Sequence, residues 1–287
     1  MNRTRNILIL GGTRFIGRAL CDTLRKDRNN HVFLFHRGVH EFTFDDSNVT
    51  HIHGDRLRKD DLGLLRHYFF DYVFDISGEQ FQMVELSVEV LKQRCGKYVF
   101  CSSSSVYQRH SGYSYTETDL LDDTSADEYV RNKVLSEKYI IDKMDCYLIF
   151  RPSKVYGPNN YIEREHWYYK KIMDDEVITI SGNPVLHLTY VTDVASGFLY
   201  ALRDDVSNQV YNISGPEYIA LIDYIHLIGR LLSKTVNFRD GIEFAVPYSK
   251  VQSRIINHEK LSTLGWKPQI NIESGLKKTF KTYDYEK

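Results

Sequence analysis

Apolar residues fall along the first half of the chain in short continuous runs separated by stretches of helical periodicity. Ile7 to Leu10 is the first such run, as expected for a strand buried on both faces. Gly11 and Gly12 end it at once, and Phe15, Ile16, Ala19, Leu20 and Leu24 then recur at helical spacing. Runs at His31–Phe35, Thr50–His53, Tyr72–Ile76, Tyr98–Ser102 and Cys146–Phe150 predict further strands, with helical patterns between most of them. The alternation predicts an α/β fold, a doubly wound parallel sheet with helices on both faces. No internal repeat or low-complexity segment interrupts it.

Length and charge narrow the picture. The 287 residues suit one large α/β unit or a main lobe with a smaller one. Lysine and arginine total 37 against 38 acidic residues, a net charge of −1 that implies no field-driven partner such as nucleic acid or an anionic membrane. No apolar run is long enough to span a bilayer. Met1-Asn2-Arg3-Thr4-Arg5 leads straight into the first run, leaving no room for a signal peptide. Cys21, Cys95, Cys101 and Cys146 match no zinc or redox spacing. The expectation is a reduced, cytoplasmic protein. His51, His53, His166 and His187 match no metal spacing either, so no metal site is expected.

Strand, glycine turn, helix is the opening unit of a dinucleotide-binding fold. Glycine admits a backbone approach to a pyrophosphate that a Cβ would block, and the helix aims its free N–H groups and positive dipole end at the same anion. The turn places Gly11, Thr13, Arg14, Phe15, Ile16 and Gly17 against a cofactor. The second strand ends Phe35-His36-Arg37-Gly38, with no acidic residue to grip the ribose hydroxyls of NAD. Arg37 stands where a 2′-phosphate needs a cation and Arg14 lies nearby, which favours NADP over NAD; two ordinary solvated arginines are the alternative. Asp55, after the third strand, is placed to accept from the adenine amino group, or simply to cap its turn. Ser77 and Gly78, after the fourth, are small enough for the cofactor to cross the sheet edge.

Four consecutive serines, Ser102 to Ser105, follow the fifth strand, at the carboxyl edge where open α/β sheets bind ligands. Tyr129 and Lys133 then share one face of a helix. Tyrosine has an ordinary pKa of about 10, too high for a base at neutral pH, and a lysine ammonium beside it favours the phenolate. Lysine can also hold the nicotinamide ribose, and a serine hydroxyl can steady charge on a substrate oxygen. Trp167-Tyr168-Tyr169 is read as a cleft wall or, more ordinarily, as packing.

Together these residues resemble the extended short-chain dehydrogenase/reductase family, the NAD-dependent epimerase/dehydratase group, over nearly the whole chain. Gly11-Gly12-Thr13-Arg14-Phe15-Ile16-Gly17 is similar to its G-x-x-G-x-x-G turn, with Arg14 in place of the middle glycine. The resemblance of Tyr98 to Tyr107 places the catalytic hydroxyl on Ser103, and Tyr129 and Lys133 match the catalytic pair. Phe150 to Pro158 looks like the loop passing the nicotinamide. Tyr190 to Ala195, Tyr211-Asn212-Ile213 and Leu264 to Pro268 close the likeness.

The resemblance implies a Rossmann-type lobe over 1–155, to which segments near 188–196 and 209–214 return, and a substrate-binding lobe over 156–287. It implies hydride transfer on a sugar-like substrate, nucleotide-linked in the leading version, and, by analogy, a homodimer. Where relatives carry a diphosphate-gripping arginine this chain has Leu186 beside His187, and a second arginine expected near Pro247 is absent. Arg254, Lys170, Lys171 and Arg164 are the candidate replacements. Ser104 and Ser105 occupy the space of a dehydratase's extra acid, which favours epimerisation or reduction. The wording with Arg14 resembles a subgroup that includes chloroplast stem-loop-binding proteins, some acting on RNA. The alternative function is therefore a dinucleotide-binding regulatory or RNA-binding module with little catalysis.

Overall fold

The computed structural model describes residues 3–39, 47–110, 114–241, 246–249 and 251–283. The opening apolar run becomes β1 (Arg5–Leu10), and Ile7 to Leu10 are fully buried. The periodic stretch after the glycines becomes α1 (Phe15–Leu24), burying Phe15, Leu20, Cys21 and Leu24. Then come β2 (Asn30–His36), β3 (Val49–His53), the short α2 (Lys59–Gly63), β4 (Phe70–Asp75), α3 (Phe81–Leu91) and β5 (Cys95–Cys101). They are followed by β6 (Ser114–Tyr115), α4 (Glu128–Lys143) and β7 (Tyr147–Pro152).

The second half is made of shorter pieces: β8 (Lys154–Tyr156), α5 (Glu165–Met173), β9 (Ile178–Ile180), β10 (Val185–Tyr190), α6 (Val191–Phe198) and β11 (Gln209–Ile213). The chain continues through β12 (Tyr218–Ala220), α7 (Leu221–Leu231), β13 (Phe238–Asp240), β14 (Ile255–Ile256), α8 (Glu259–Ser262) and α9 (Ile272–Tyr283).

Seven strands form one parallel sheet in the order β11-β7-β5-β4-β1-β2-β3. The strand order reverses between β1 and β4, so their carboxyl ends frame a crevice there, the general ligand position of such sheets. Every strand expected from the apolar runs is present, with ends shifted by at most three residues. Ile76 leaves β4 because its N–H and that of Ser77 both turn to the Leu10 carbonyl, at 3.0 and 3.2 Å. Two layers of core flank the sheet. One packs α1, α6 and the second-half helices around Ile7, Ile9, Leu34 and Phe150; the other packs α3 and α4 on Leu8, Val73, Phe100 and Ile149.

Smaller sheets build the second half: β12-β10-β8, β13-β9 and β14-β6. Tyr168 and Tyr169 are buried in the core they share with α7 and α9, so the aromatic cluster of α5 is packing. His187 joins two of these sheets. Its Nε2 lies 2.9 Å from the Gly215 carbonyl and its Nδ1 accepts the Ile256 N–H at 2.9 Å. Both bonds need the neutral ring with its proton on Nε2.

Burial pushes the His187 imidazole down to about 4 against the Gly215 bond, helped by nearby His258 and Lys154. The unfolded chain then binds the extra proton first as pH falls, so stability present above pH ~6.5 is lost on the way to pH ~4. We expect the unfolding free energy to drop by roughly 3 kcal/mol more in the native chain than in His187→Gln between pH 7.5 and pH 4. Urea melts at the two pH values give the comparison, and equal drops would remove His187 from the account.

Candidate active site

The crevice between β1 and β4 opens into a cavity of about 360 Å³. Gly11 bends the chain there with φ +89°, and a Cβ on it would lie 2.4 Å from the Ser77 Cβ. Gly17 backs α1 onto the same turn, where a Cβ would sit 2.0 Å from the Gly11 carbonyl oxygen. Both positions therefore require glycine. Arg14 precedes α1 in extended backbone and contributes no side-chain cap, so the first-turn N–H groups are left for an anion. That donor set fits a pyrophosphate.

Gly11, Thr13, Arg14, Phe15, Ile16, Arg37, Asp55 and Ser77 all line this cavity. Gly17 and Gly78 do not. A Cβ on Gly78 would meet Val84 at 2.6 Å, so that glycine serves the packing of α3. Arg37 is exposed at the rim. One Asp55 oxygen accepts the Leu57 N–H at 2.9 Å, as a turn cap does. The Arg14 guanidinium lies 4.6 Å over the ring of Tyr161.

Beneath the cavity floor lies a buried ion pair. Asp75, the last residue of β4, is fully enclosed and takes both terminal nitrogens of Arg56 at 2.7 Å. The Tyr98 hydroxyl donates to the same carboxylate at 2.7 Å. Arg56 also donates to the hydroxyls of Ser77 and Ser87 at 3.0 and 3.1 Å. Ser77, a wall of the cavity, is thereby fixed from below.

A second cavity of about 380 Å³ continues from the first and shares Phe15, Ile16, Ile76, Glu79 and Tyr161 with it. It brings Ser103, Tyr129 and Lys133 together. Each has a local reason to be there. Ser103 starts a turn of 3-10 helix at the carboxyl end of β5, and its hydroxyl accepts the Ser105 N–H at 3.1 Å. Asp127 caps α4 by accepting the Tyr129 N–H at 2.9 Å, which fixes where the helix begins. Tyr129 is 40% exposed, whereas Lys133 one turn on is 2% exposed.

The Lys133 ammonium donates to the Cys101 carbonyl at 2.6 Å, 4.6 Å over the Phe100 ring and 5.7 Å from the Tyr129 ring centre. The cation is locked in place beside the phenol. Burial pushes the neighbouring Cys101 thiol up to about 11, so it is inert. The Ser102 hydroxyl is buried with no partner in the described structure.

Several site residues escaped the sequence reading. Tyr161 stands between the two cavities, its hydroxyl 2.8 Å from Glu79 and its ring edge-on to Phe15. Lys154, at the start of β8, faces the second cavity together with Arg164. A charge inside a buried strand was the one available signal for Arg56, since Asp75 in a fully apolar setting demands a buried cation. Of the candidate diphosphate arginines and lysines, Arg164 lines the cavity and Arg254 braces its rim through the Ser104 and Tyr107 carbonyls at 2.8 and 3.1 Å. Lys170 is exposed on α5 and Lys171 pairs with Glu176, so neither serves the site. No metal-holding group of histidine, cysteine or carboxylate side chains exists among the described residues, and no helix there is long and apolar enough to cross a membrane.

Comparison with known proteins agrees with this architecture. The NAD dependent epimerase/dehydratase family matches residues 7–214, most of the chain. This protein belongs to that family. Chloroplast stem-loop binding protein of 41 kDa b from Arabidopsis thaliana is 30% identical over 95% of this chain and 77% of its own length. Human dTDP-D-glucose 4,6-dehydratase is 26% identical over 78% of this chain, which spans 65% of that enzyme. Among solved structures, UDP-glucuronic acid 4-epimerase from Bacillus cereus, in complex with UDP-glucuronic acid and NAD, superposes with a TM-score of 0.84. It is 22% identical and covers 98% of this chain and 100% of its own. The expectation of no nucleic-acid partner rested on net charge alone, and a stem-loop binding relative across nearly the whole chain removes that support.

Proposed function

We propose that this chain is an NAD(P)-dependent oxidoreductase or epimerase acting on a hydroxyl or ketone of a sugar-like substrate. The convergence of Ser103, Tyr129 and Lys133 on one cavity continuous with the glycine-turn cavity carries the reading. A bound nicotinamide dinucleotide would supply or accept hydride; Gly11, Thr13 to Ile16, Ser77 and Lys133 would hold it. Tyr129 Oη removes the carbinol proton, or returns it in the reverse direction. Lys133, already fixed by the Cys101 carbonyl, stands beside the Tyr129 ring and is placed for the ribose hydroxyls. Ser103 Oγ positions the substrate oxygen and steadies charge as it develops. Residues 156–287 are read as the substrate-binding lobe.

NADP is the preferred cofactor in this reading. Arg37 follows β2 at the cavity rim with no acidic residue at that strand end to favour a free ribose. We expect Arg37→Ser to weaken NADPH binding by roughly 10- to 100-fold and to leave NADH binding within about twofold, the loss of one charge-assisted phosphate contact. Fluorescence titration with the two reduced cofactors measures it. An equal effect on both would make Arg37 an ordinary surface charge.

A second reading is favoured by one observation, the 30% identity to a stem-loop binding protein along 95% of the chain. There the fold and the dinucleotide site serve a regulatory or RNA-binding module. Mass spectrometry of what the purified protein releases on acid denaturation, followed by filter retention of a labelled RNA stem-loop at physiological salt, separates the two. Released NAD or NADP with no RNA retained supports the enzyme; retained RNA with no exchangeable cofactor supports the module.

A further inference from the structure

The segment between β8 and α5, residues 157–164, belongs by sequence to the second half of the chain, yet it reaches back over the first half. The Asn159 side-chain oxygen accepts from the Arg18 guanidinium of α1 at 3.3 Å. The Tyr161 ring meets Phe15 edge-on, with centres 6.4 Å apart, and the Arg14 guanidinium lies 4.6 Å over it. The Tyr161 hydroxyl donates to Glu79 at 2.8 Å. Arg14 and Phe15 follow β1 and Glu79 follows β4, so one tyrosine touches both banks of the crevice between those strands.

The turn that carries Tyr161 is shaped from its own side. Asn160 accepts the Ile162 N–H at 3.0 Å and donates to the buried Glu165 at 3.1 Å, and the Arg164 N–H bonds to the Ile162 carbonyl at 2.7 Å. Tyr161 is thereby presented where the two cavities join, since it lines both. A dinucleotide with its pyrophosphate at the glycine turn and its nicotinamide end beside Tyr129 and Lys133 has to pass that point.

The fastening onto the first half is of a kind that opens. Tyr161 is 47% exposed, and Arg14 and Glu79 are exposed as well. Cation–π contacts and hydrogen bonds at exposed sites are individually weak, so they come apart without disturbing either layer of core. The sequence reading set Arg14 beside Arg37 for a 2′-phosphate; the structure lays its guanidinium over the Tyr161 ring. The glycine that Arg14 replaces would offer that ring no cation.

We propose that residues 157–164 form a strap over the joint of the two cavities, with Arg14, Tyr161 and Glu79 as its clasp, and that a dinucleotide enters and leaves only when the clasp opens. The inference rests on the reading of the glycine-turn cavity as a dinucleotide site and is independent of the chemistry at Tyr129. A clasp of this kind is a gate. It slows association and dissociation by the same open fraction and leaves their ratio, the affinity, nearly unchanged.

The test reads binding kinetics on the full chain. Stopped-flow fluorescence follows NADPH association and its displacement by excess NADP, with NADH and NAD run in parallel. Tyr161→Ala is expected to raise both rate constants roughly 10- to 100-fold, the inverse of a clasp open about 1–10% of the time, while Kd moves by less than about threefold. Arg14→Gly is expected to raise both rates likewise, and the double variant to be no faster than the faster single one, because each change removes the same clasp. Tyr161→Phe keeps the ring under Arg14 and loses the Glu79 bond, so its rates fall between those of Tyr161→Ala and the native chain. Urea midpoints report that each variant is folded. Unmoved rates in Tyr161→Ala overturn the strap. Faster dissociation alone, with a matching loss of affinity, also overturns it and makes Tyr161 an ordinary cofactor contact. Failure of the native chain to bind either dinucleotide rejects the reading of the glycine-turn cavity, and the strap with it.

Discussion

Tyr129→Phe binds NADP(H) as the native chain does and loses turnover by roughly 100- to 10,000-fold. That is the expected result if the phenol is the proton-transferring group, since a positioned acid/base supplies acceleration of that order. The substitution removes one oxygen from a side chain that is 40% exposed to the cavity and caps nothing, so folding is not at stake. Lys133→Met behaves differently. It deletes a buried cation and leaves the Cys101 carbonyl without its 2.6 Å donor, so cofactor affinity and stability fall together with rate. Parallel cofactor titration and single-turnover hydride transfer separate the two patterns. Full activity in Tyr129→Phe ends the role of Tyr129 as the proton-transferring group.

Arg56→Met is expected to cost about 3–5 kcal/mol of folding stability, among the largest effects of any single change outside the glycine turn. The Asp75 carboxylate is fully buried and would keep only the Tyr98 hydroxyl as a donor. The double variant Arg56→Met with Asp75→Asn recovers part of the loss, because no unpaired charge remains. Urea midpoints of the three proteins give the coupling directly. The single change also frees Ser77 from beneath, so dinucleotide binding weakens as well. A single-variant loss below about 1 kcal/mol would mean that water reaches Asp75.

The main sheet and the pairing of Tyr129 with Lys133 were readable from sequence for a shared reason. A parallel strand is buried on both faces and so writes itself as a continuous apolar run, as Ile7 to Leu10 and Tyr98 to Cys101 do. Tyr129 and Lys133 are one helical turn apart, and their meeting needs no long-range information. Lys154, Arg164 and Arg254 are the contrary case. Their convergence depends on β8 pairing with β10 and on the rim contacts of Arg254, neither of which has a local signature. Three-residue strands such as β8, β9 and β12 are too short to show a period. Tyr161 was hidden likewise, because its partners Arg14, Phe15 and Glu79 lie more than 80 positions upstream.

The outermost strand of the main sheet, β11, is drawn from far along the chain and pairs in parallel with β7. During synthesis β7 is complete at Pro152, yet its partner begins at Gln209. Until then the growing chain presents an open row of backbone donors and acceptors along a buried-type strand, the kind of edge that recruits other chains. The ribosome must deliver β8, α5, β9, β10 and α6 before β11 can cover the β7 edge. Newly made protein therefore passes through a window of vulnerability, and fragments cut short of Ile213 carry that window permanently.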